Sequence, residues 1–395
     1  MNKLVYLDNN ATTKIDPLVL EEMLPYLTEK YGNPSSMYDF GGNVAKVIEK
    51  ARMQVAGFVG ADSEREIIFT SCGTESDNMA IMGTLAQYPN KRHIITSRVE
   101  HPAVLNLCKK LEREGYRVTY VPVDREGNLD MELLKSSVSN DTAIVSIMHA
   151  NNETGVIFPV EEIGAFLKEK GVPFHIDAVQ AAGKIPINVN KINCEMLSLS
   201  GHKFHAPKGI GIFYLKMGSS IKPLLYGGHQ EKGIRPGTEN TASIVGIGKA
   251  SELALKYLDK EHEIKRLRDK LENGILKKFP NSHLNGSKKN RVPNTTNVGF
   301  KYIEGEAILL YLNDKNIAAS SGSACSSGSL EPSHVLRAMG VPFTSAHGST
   351  RFSLSRFNTE EEIDYTLSVL PGIVERLLEI SPFWDSKKNE PREMV

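Results

Sequence analysis

The stretch Leu197-Ser-Leu-Ser-Gly-His-Lys-Phe-His-Ala-Pro-Lys-Gly209 sets one lysine, Lys203, in a turn between two apolar runs. The runs on either side, over residues 195–200 and 210–215, read as short buried strands. A lysine held between buried strands loses much of its hydration, and desolvation favours the neutral amine that attacks a carbonyl carbon. Ser200 and His202 flank it with groups able to donate to a phosphate. A solvated lysine in an ordinary surface loop satisfies the same residues, so the decision rests on the remainder of the chain.

That chain has 395 residues, a length that suggests two or three domains with ample interior for a recessed site. Its 47 basic residues balance 47 acidic ones. Nothing in that balance favours a nucleic acid or a membrane surface as partner. The apolar run Leu4-Val-Tyr-Leu7 is shorter than the core of a secretory signal, and no later run is long enough to span a bilayer. A soluble, cytoplasmic protein is expected. Cys72, Cys108, Cys194 and Cys325 are widely spaced and form no Cys-x-x-Cys pair, which argues against a disulfide framework and a tetrathiolate zinc site. Cys108 and Cys194 read as small buried hydrophobes.

Working outward, Asp8-Asn-Asn-Ala-Thr-Thr13 reads as a turn leading to a helix over 17–27, and apolar spacing predicts another helix over 44–59. Ile67-Ile-Phe-Thr-Ser-Cys-Gly-Thr-Glu-Ser-Asp-Asn78 reads as a strand that breaks at Gly73 and enters a helix. A helix N-terminus there offers free N–H groups and a positive dipole end, with Gly73 allowing close approach and Thr74 adding a hydroxyl, which suits a phosphate. A plain N-cap is the alternative. The strand at 93–96 is followed by Glu100-His-Pro-Ala103, which sets His101 beyond a strand's carboxyl end, where open α/β sheets place ligands. The strand at 142–149 runs into the polar turn of Asn152. A short apolar strand ends at Asp177, with Gln180 just beyond. A carboxylate in that position needs a cation or hydrogen-bond donor, and a protonated pyridine nitrogen is one such partner. Together Gly73, Thr74, Ser200, His202, His101, Asp177 and Lys203 form a set suited to pyridoxal 5'-phosphate, which requires an imine-forming lysine and an acidic partner for its ring nitrogen.

Beyond these units lie a long polar loop over 226–240, a helical stretch over 241–278 and a second strand–helix unit from 297 to 320. Cys325 lies in Ala319-Ser-Ser-Gly-Ser-Ala-Cys-Ser-Ser-Gly-Ser-Leu330, a Gly/Ser-rich setting suited to a mobile, accessible thiol. A linker with an incidental cysteine has the same composition. Ser349-Thr-Arg-Phe-Ser-Leu-Ser-Arg356 alternates like a strand, and its Arg351 suits either a substrate carboxylate or a protein one. The polar end of the chain reads as a mobile tail.

With these motifs in hand, the chain resembles the fold-type I pyridoxal-phosphate enzymes and, among them, the NifS/IscS-like cysteine desulfurases of the class-V aminotransferase family. Ser200-Gly-His-Lys203 and Ser321-Gly-Ser-Ala-Cys325 with Leu330-Glu-Pro-Ser333 carry the resemblance most specifically. The segment around Ser326-Ser-Gly-Ser-Leu-Glu-Pro-Ser-His334 is more similar to the nitrogen-fixation branch than to the housekeeping one. The resemblance implies an α/β fold with a mostly parallel seven-stranded sheet in a large cofactor domain over 16–259. It also implies a smaller α/β domain from 1–15 and 260–380, a flexible tail over 381–395 and a homodimer.

It further implies that Lys203 holds the cofactor, that Asp177 and Gln180 contact its ring and that His101 stacks on it. Gly73, Thr74, Ser200 and His202 would bind its phosphate, with Thr238 reaching in from the neighbouring subunit. Asn152 and Arg351 would meet the substrate carboxylate and the cofactor. L-cysteine would displace Lys203, Lys203 would move the Cα proton, and the Cys325 thiolate would take the sulfur as a persulfide and leave alanine. An iron-sulfur scaffold protein would be the acceptor, with a transient cluster contact at Cys325 as a further implication. An aminotransferase or selenocysteine lyase of the same fold is the nearest rival, since it keeps Lys203 and Asp177 without needing Cys325. A non-catalytic sulfur or metal carrier using Cys325 or His202-Lys-Phe-His205 is another, weakened by the lack of a third ligand. Gly209-Ile-Gly211 is a poor dinucleotide signal because it precedes a strand.

Overall fold

The computed structural model describes residues 3–321, 332–385, 388 and 390–392. Its main sheet has seven strands, β1 (Ile67–Thr70), β2 (His93–Ser97), β3 (Arg117–Val121), β4 (Thr142–Met148), β5 (Phe174–Asp177), β6 (Met196–Ser200) and β7 (Gly211–Leu215), in the order β1-β7-β6-β5-β4-β2-β3. Only β7 runs antiparallel to the others. The strands read as unbroken apolar runs because both faces are covered. Ile68, Ile94, Ile144, Met196 and Phe213 face one core. Their neighbours along the chain, Phe69, Ile95, Val145, Leu197 and Ile212, face the other.

Six strands that run together bring their carboxyl ends to one edge, and this edge is where the candidate residues gather. Here β1 hands over to helix α2 (Gly73–Gln87), the second of the long helices after α1 (Asp39–Val59). The β2 strand leads through Glu100 and His101 into α3 (Pro102–Arg113), and α4 (Val160–Lys170) lies between β4 and β5. The end of β6 passes into a single tight turn, Gly201–Lys203, and the chain doubles back as β7. Lys203 thus sits on a return between antiparallel neighbours, where the backbone must fold sharply at the sheet edge.

The expected helix over 17–27 is two short helices, Pro17–Met23 and Pro25–Thr28, because Pro25 has no N–H to continue the first. The expected stretch over 241–278 is likewise two helices. They are α5 (Thr241–Tyr257) and α6 (Glu261–Lys278), separated by a tight turn at Leu258–Lys260. The break has a packing reason. Ile244, Ile247 and Leu253 of α5 belong to the core of the main sheet. Ile264, Leu267, Leu271 and Ile275 of α6 belong to a separate core that includes Val5 and Leu7.

That second core is built on an antiparallel sheet of β8 (Ser282–Leu284), β9 (Thr295–Phe300) and β10 (Ser349–Ser353), with β9 central, and on the long helix α7 (Glu360–Ile380). Val5–Tyr6 pairs in parallel with Ile317–Ala318. At the far end, Trp384–Asp385 pairs with Glu390–Pro391, and the Trp384 ring lies 5.3 Å from that of Tyr302.

Candidate active site

A cavity of about 270 Å³ opens at the carboxyl edge of the main sheet. It is lined by Gly73, Thr74, His101, Asn152, Asp177, Gln180, Ser200, His202, Lys203 and Arg351, ten of the residues singled out from sequence. Thr238 is exposed and does not line it. Cys325 lies outside the described residues.

One end of the cavity is made by the N-terminus of α2, whose N-cap residue Cys72 makes no side-chain cap bond. Free N–H groups at the positive end of a fifteen-residue helix are suited to an anion. Gly73 has to be glycine here, since a Cβ would come within 2.8 Å of Val179 Cγ2. Ser200 and His202 complete this end, with His202 Nδ1 3.1 Å from Thr12 Oγ1. Burial and the nearby Lys203 push His202 down to about 4, which leaves the ring neutral near pH 7.

His101 caps α3, its Nδ1 accepting from Ala103 N at 3.2 Å, so its proton sits on Nε2. Burial, then Lys203, pushes its pKa down to about 4. A flat, neutral ring therefore borders the cavity. Asp177, also in the lining, accepts at Oδ1 from Val179 N at 2.9 Å. Burial raises the Asp177 carboxyl to about 6, against the opposing effects of that N–H and of Lys203. Asp77 of α2 lies wholly buried nearby and is pushed up by burial and by the Asp177 charge, and its Oδ1 has no hydrogen-bond partner. His175 of β5 is 3.6 Å from that oxygen but is held neutral by burial. Lys203 favours the ionised form of Asp177 without offsetting its burial, so a cationic group in the cavity would be favoured beside it.

Lys203 Nζ donates to the backbone carbonyls of Asn10 (2.6 Å) and Ala11 (2.8 Å). Gln180 Nε2 donates to the same Asn10 carbonyl at 3.0 Å. The Asp8-Asn-Asn-Ala-Thr-Thr13 segment, read from sequence as a turn, is therefore a strap along the site. Arg351 resolves one alternative left open by its sequence setting. Its Nη2 donates to Asp8 Oδ1 at 2.7 Å and its Nη1 to Asn152 O at 2.9 Å. Arg351 Nε is buried and has no partner among the described residues. Asn152 contributes that carbonyl from a turn whose next residue, the buried Glu153, accepts a hydrogen bond from Ser333. Ser333 caps the helix His334–Ala338, the first element after the Cys325 segment.

Sequence reasoning missed Asn10, Ala11, Cys72 and Asp77 as cavity residues, together with Met148 and Val179. Among the described residues no cluster of three or more His, Cys, Asp or Glu side chains could hold a metal. His205 turns its Nδ1 to the Lys14 carbonyl at 2.9 Å. No helix among the described residues is long and apolar enough to cross a membrane.

Comparison with known proteins shows the family. Residues 5–366 match the aminotransferase class-V family. A cysteine desulfurase of Trichormus azollae is 60% identical over 382 residues, covering 96% of this chain and 95% of that one. Cysteine desulfurase NifS of Azotobacter vinelandii is 55% identical over 381 residues, with 96% and 95% covered. A solved structure described as a NifS-like protein superposes with a TM-score of 0.89 at 42% identity, covering 95% of this chain and all of that one. The chain belongs to the class-V aminotransferase family and, within it, to the NifS-like cysteine desulfurases.

Proposed function

We propose that this protein is a pyridoxal 5'-phosphate enzyme that converts L-cysteine to L-alanine and passes the sulfur to Cys325 as a persulfide, for iron-sulfur cluster assembly. The observation that carries the reading is one cavity in which an uncapped helix N-terminus, a desolvated carboxylate and a lysine amine converge. The residues fit the cofactor. Gly73 leaves room at the α2 N-terminus that a Cβ would fill, and the buried Asp177 carboxyl, whose burial Lys203 only partly offsets, borders the cavity beside the unpartnered Asp77 Oδ1. Gly73, Thr74, Ser200 and His202 would hold the phosphate, Asp177 and Gln180 the ring edge, His101 the ring face and Lys203 the aldehyde carbon. Once bound, the group supplies an electron sink for the bond electrons released at the substrate Cα.

The chain's own residues do the rest. Lys203, freed by the incoming amino group, has the Asn10 and Ala11 carbonyls within reach as it takes and returns the Cα proton. The strap's two carbonyls favour the protonated amine, so Lys203 can hold the proton while the substrate rearranges. Arg351, braced by Asp8 and Asn152 O, turns its remaining N–H groups to the substrate carboxylate. Neutral His101 keeps the ring face dry. Cys325 as thiolate attacks the substrate sulfur, forming the S–S bond as the C–S bond breaks, and the carbon skeleton leaves as alanine after protonation.

The partner reading is a second copy of this chain and, for the sulfur, an iron-sulfur scaffold protein, all in the cytoplasm. Support for the second copy comes from large apolar side chains left exposed, Leu27, Tyr31, Met37 and Tyr38 in one segment and Leu225 and Tyr226 in another. Thr238 is exposed too, twelve residues beyond Tyr226, which suits a residue that serves a neighbour's site.

The test is mass spectrometry after exposure to L-cysteine without reductant. The peptide containing Cys325 should gain one sulfur atom while alanine appears in solution. No gain, in protein carrying the pyridoxal chromophore, would sink the role of Cys325 and favour an aminotransferase or lyase.

A further inference from the structure

Next to the site lies a second lysine, Lys184, that the reaction outlined above does not use. It lies four residues after Gln180, only 7% exposed. Its Nζ donates to Gln180 Oε1 at 2.5 Å and to Asn10 Oδ1 at 3.1 Å. These two acceptors matter because of what else they do. Gln180 lines the cavity, and its Nε2 donates to the Asn10 carbonyl that also receives the Lys203 amine. Asn10 Oδ1 accepts from Asn294 Nδ2 at 3.1 Å, and Asn10 Nδ2 donates to Thr295 Oγ1 at 2.8 Å and Asn152 O at 3.1 Å. Lys184 therefore ties the side chain at the ring edge to the strap that holds Lys203 and to β9 of the second core.

The chemistry of an amide gives this contact a direction. A carboxamide accepts at oxygen and donates at nitrogen, and exchanging the two ends reverses what it can offer a ligand. The Asn10 carbonyl can only accept, so it requires the nitrogen end of Gln180. Lys184 donates to the other end whether its amine is charged or neutral, which keeps Oε1 turned away and satisfied. One hydrogen on Gln180 Nε2 is then spent on Asn10, leaving the second for the cavity.

We propose that Lys184 is a positioning residue that holds the Gln180 amide by its oxygen and so commits Gln180 to donating a hydrogen bond to the ring oxygen of the bound pyridoxal group. The proposal rests on the cofactor reading above. Burial most disfavours the positive charge of Lys184, Lys203 and Arg351 add to that effect, and Glu261 opposes it, while the neighbouring His205 is itself held neutral chiefly by burial. The lysine therefore acts here as a donor more than as a counter-charge. Leaving Gln180 Oε1 without Lys184 would strand a buried acceptor, and the amide would lose its fixed orientation.

The test is the visible absorbance of the holoenzyme without substrate, titrated with pH. A donor to the ring oxygen draws negative charge away from the neighbouring Lys203 nitrogen, so losing it makes that nitrogen hold its proton to higher pH. Gln180→Ala should raise the midpoint by roughly one pH unit, the size of one hydrogen bond to a charged group. Lys184→Met should raise it by a comparable amount, and the double variant by no more than either alone. Lys184→Arg, which keeps a donor, should stay nearer the wild type. A Lys184→Met midpoint equal to the wild type would overturn the proposal. So would a shift that adds in full to that of Gln180→Ala, because Lys184 would then act by charge rather than through Gln180. If Lys184→Met does not fold, Lys184→Gln, too short to reach both acceptors, carries the same comparison. Wild-type protein that forms no visible chromophore would overturn the cofactor reading and this proposal with it.

Discussion

Replacing Asp177 by asparagine should make the cofactor-free protein more stable at alkaline pH and disable the enzyme. The Asp177 carboxyl is raised from 3.8 to about 6, chiefly by burial. A carboxyl raised in the folded state stabilises the fold only while protonated. Its contribution is fully present below about 4, the unfolded value, and is lost as pH rises through about 6. Above that, the folded chain carries an ionised carboxylate at a cost of about 3 kcal/mol, from about two pH units at 1.36 kcal/mol each. Asparagine cannot ionise, and its oxygen can keep the bond from Val179 N. Urea unfolding of cofactor-free Asp177→Asn and wild type at pH 4 and pH 8 should show near-equal stability at pH 4. At pH 8 the variant should be ahead by up to ~3 kcal/mol. Removing the like charge beside Asp77 acts in the same direction. With cofactor present, desulfuration should fall steeply, because a neutral amide cannot hold a protonated ring nitrogen. A stability difference that is the same at both pH values, or a variant less stable at pH 8, would refute the view that burial outweighs Val179 N and Lys203 in setting the state of Asp177.

Other consequences are more local. Arg351→Lys cannot keep both the Asp8 and Asn152 bonds and still offer a planar fork, so KM for L-cysteine should rise by roughly 10- to 100-fold, with kcat less affected, in steady-state alanine assays. Gly73→Val drives a side chain into Val179 at the phosphate end, so cofactor should be lost on gel filtration while wild type retains it. In the second core, Glu272 pairs with Arg291 through bonds of 2.6 and 2.8 Å and also accepts from Thr296 Oγ1. Glu272→Gln leaves a buried guanidinium without its counter-charge and should cost about 3 kcal/mol or more, seen as a lower melting temperature. An unchanged melting point would mean that Arg291 finds another partner.

Most of the main sheet was legible because its strands are short apolar runs ending in small or polar residues, a pattern set by neighbours along the chain. The candidate site was legible for a related reason. In a sheet of parallel strands, chemistry-bearing residues at successive carboxyl ends must share an edge, and Gly73, His101, Asn152, Asp177 and Lys203 each follow such an end. Helix limits were less legible. Pro25 announces its break, but nothing in the composition of 241–278 marks Leu258–Lys260, where the chain turns from one core to the other.

By itself, then, the sequence determined the α/β class and pointed to Lys203 as the candidate imine-forming lysine within a set of groups suited to a phosphorylated pyridine ring. Only the tertiary structure decided that Asn10 and Ala11 receive the Lys203 amine, that Asp8 braces Arg351 and that Lys184 grips Gln180. Lys203 is separated from Asn10 by 193 positions and Arg351 from Asp8 by 343. Strand periodicity and turn chemistry follow from a few adjacent residues. The partner of a buried polar group depends instead on which distant segment packing brings within 3 Å of it, and Asp8-Asn-Asn-Ala-Thr-Thr13 has, along the chain, only the composition of a turn.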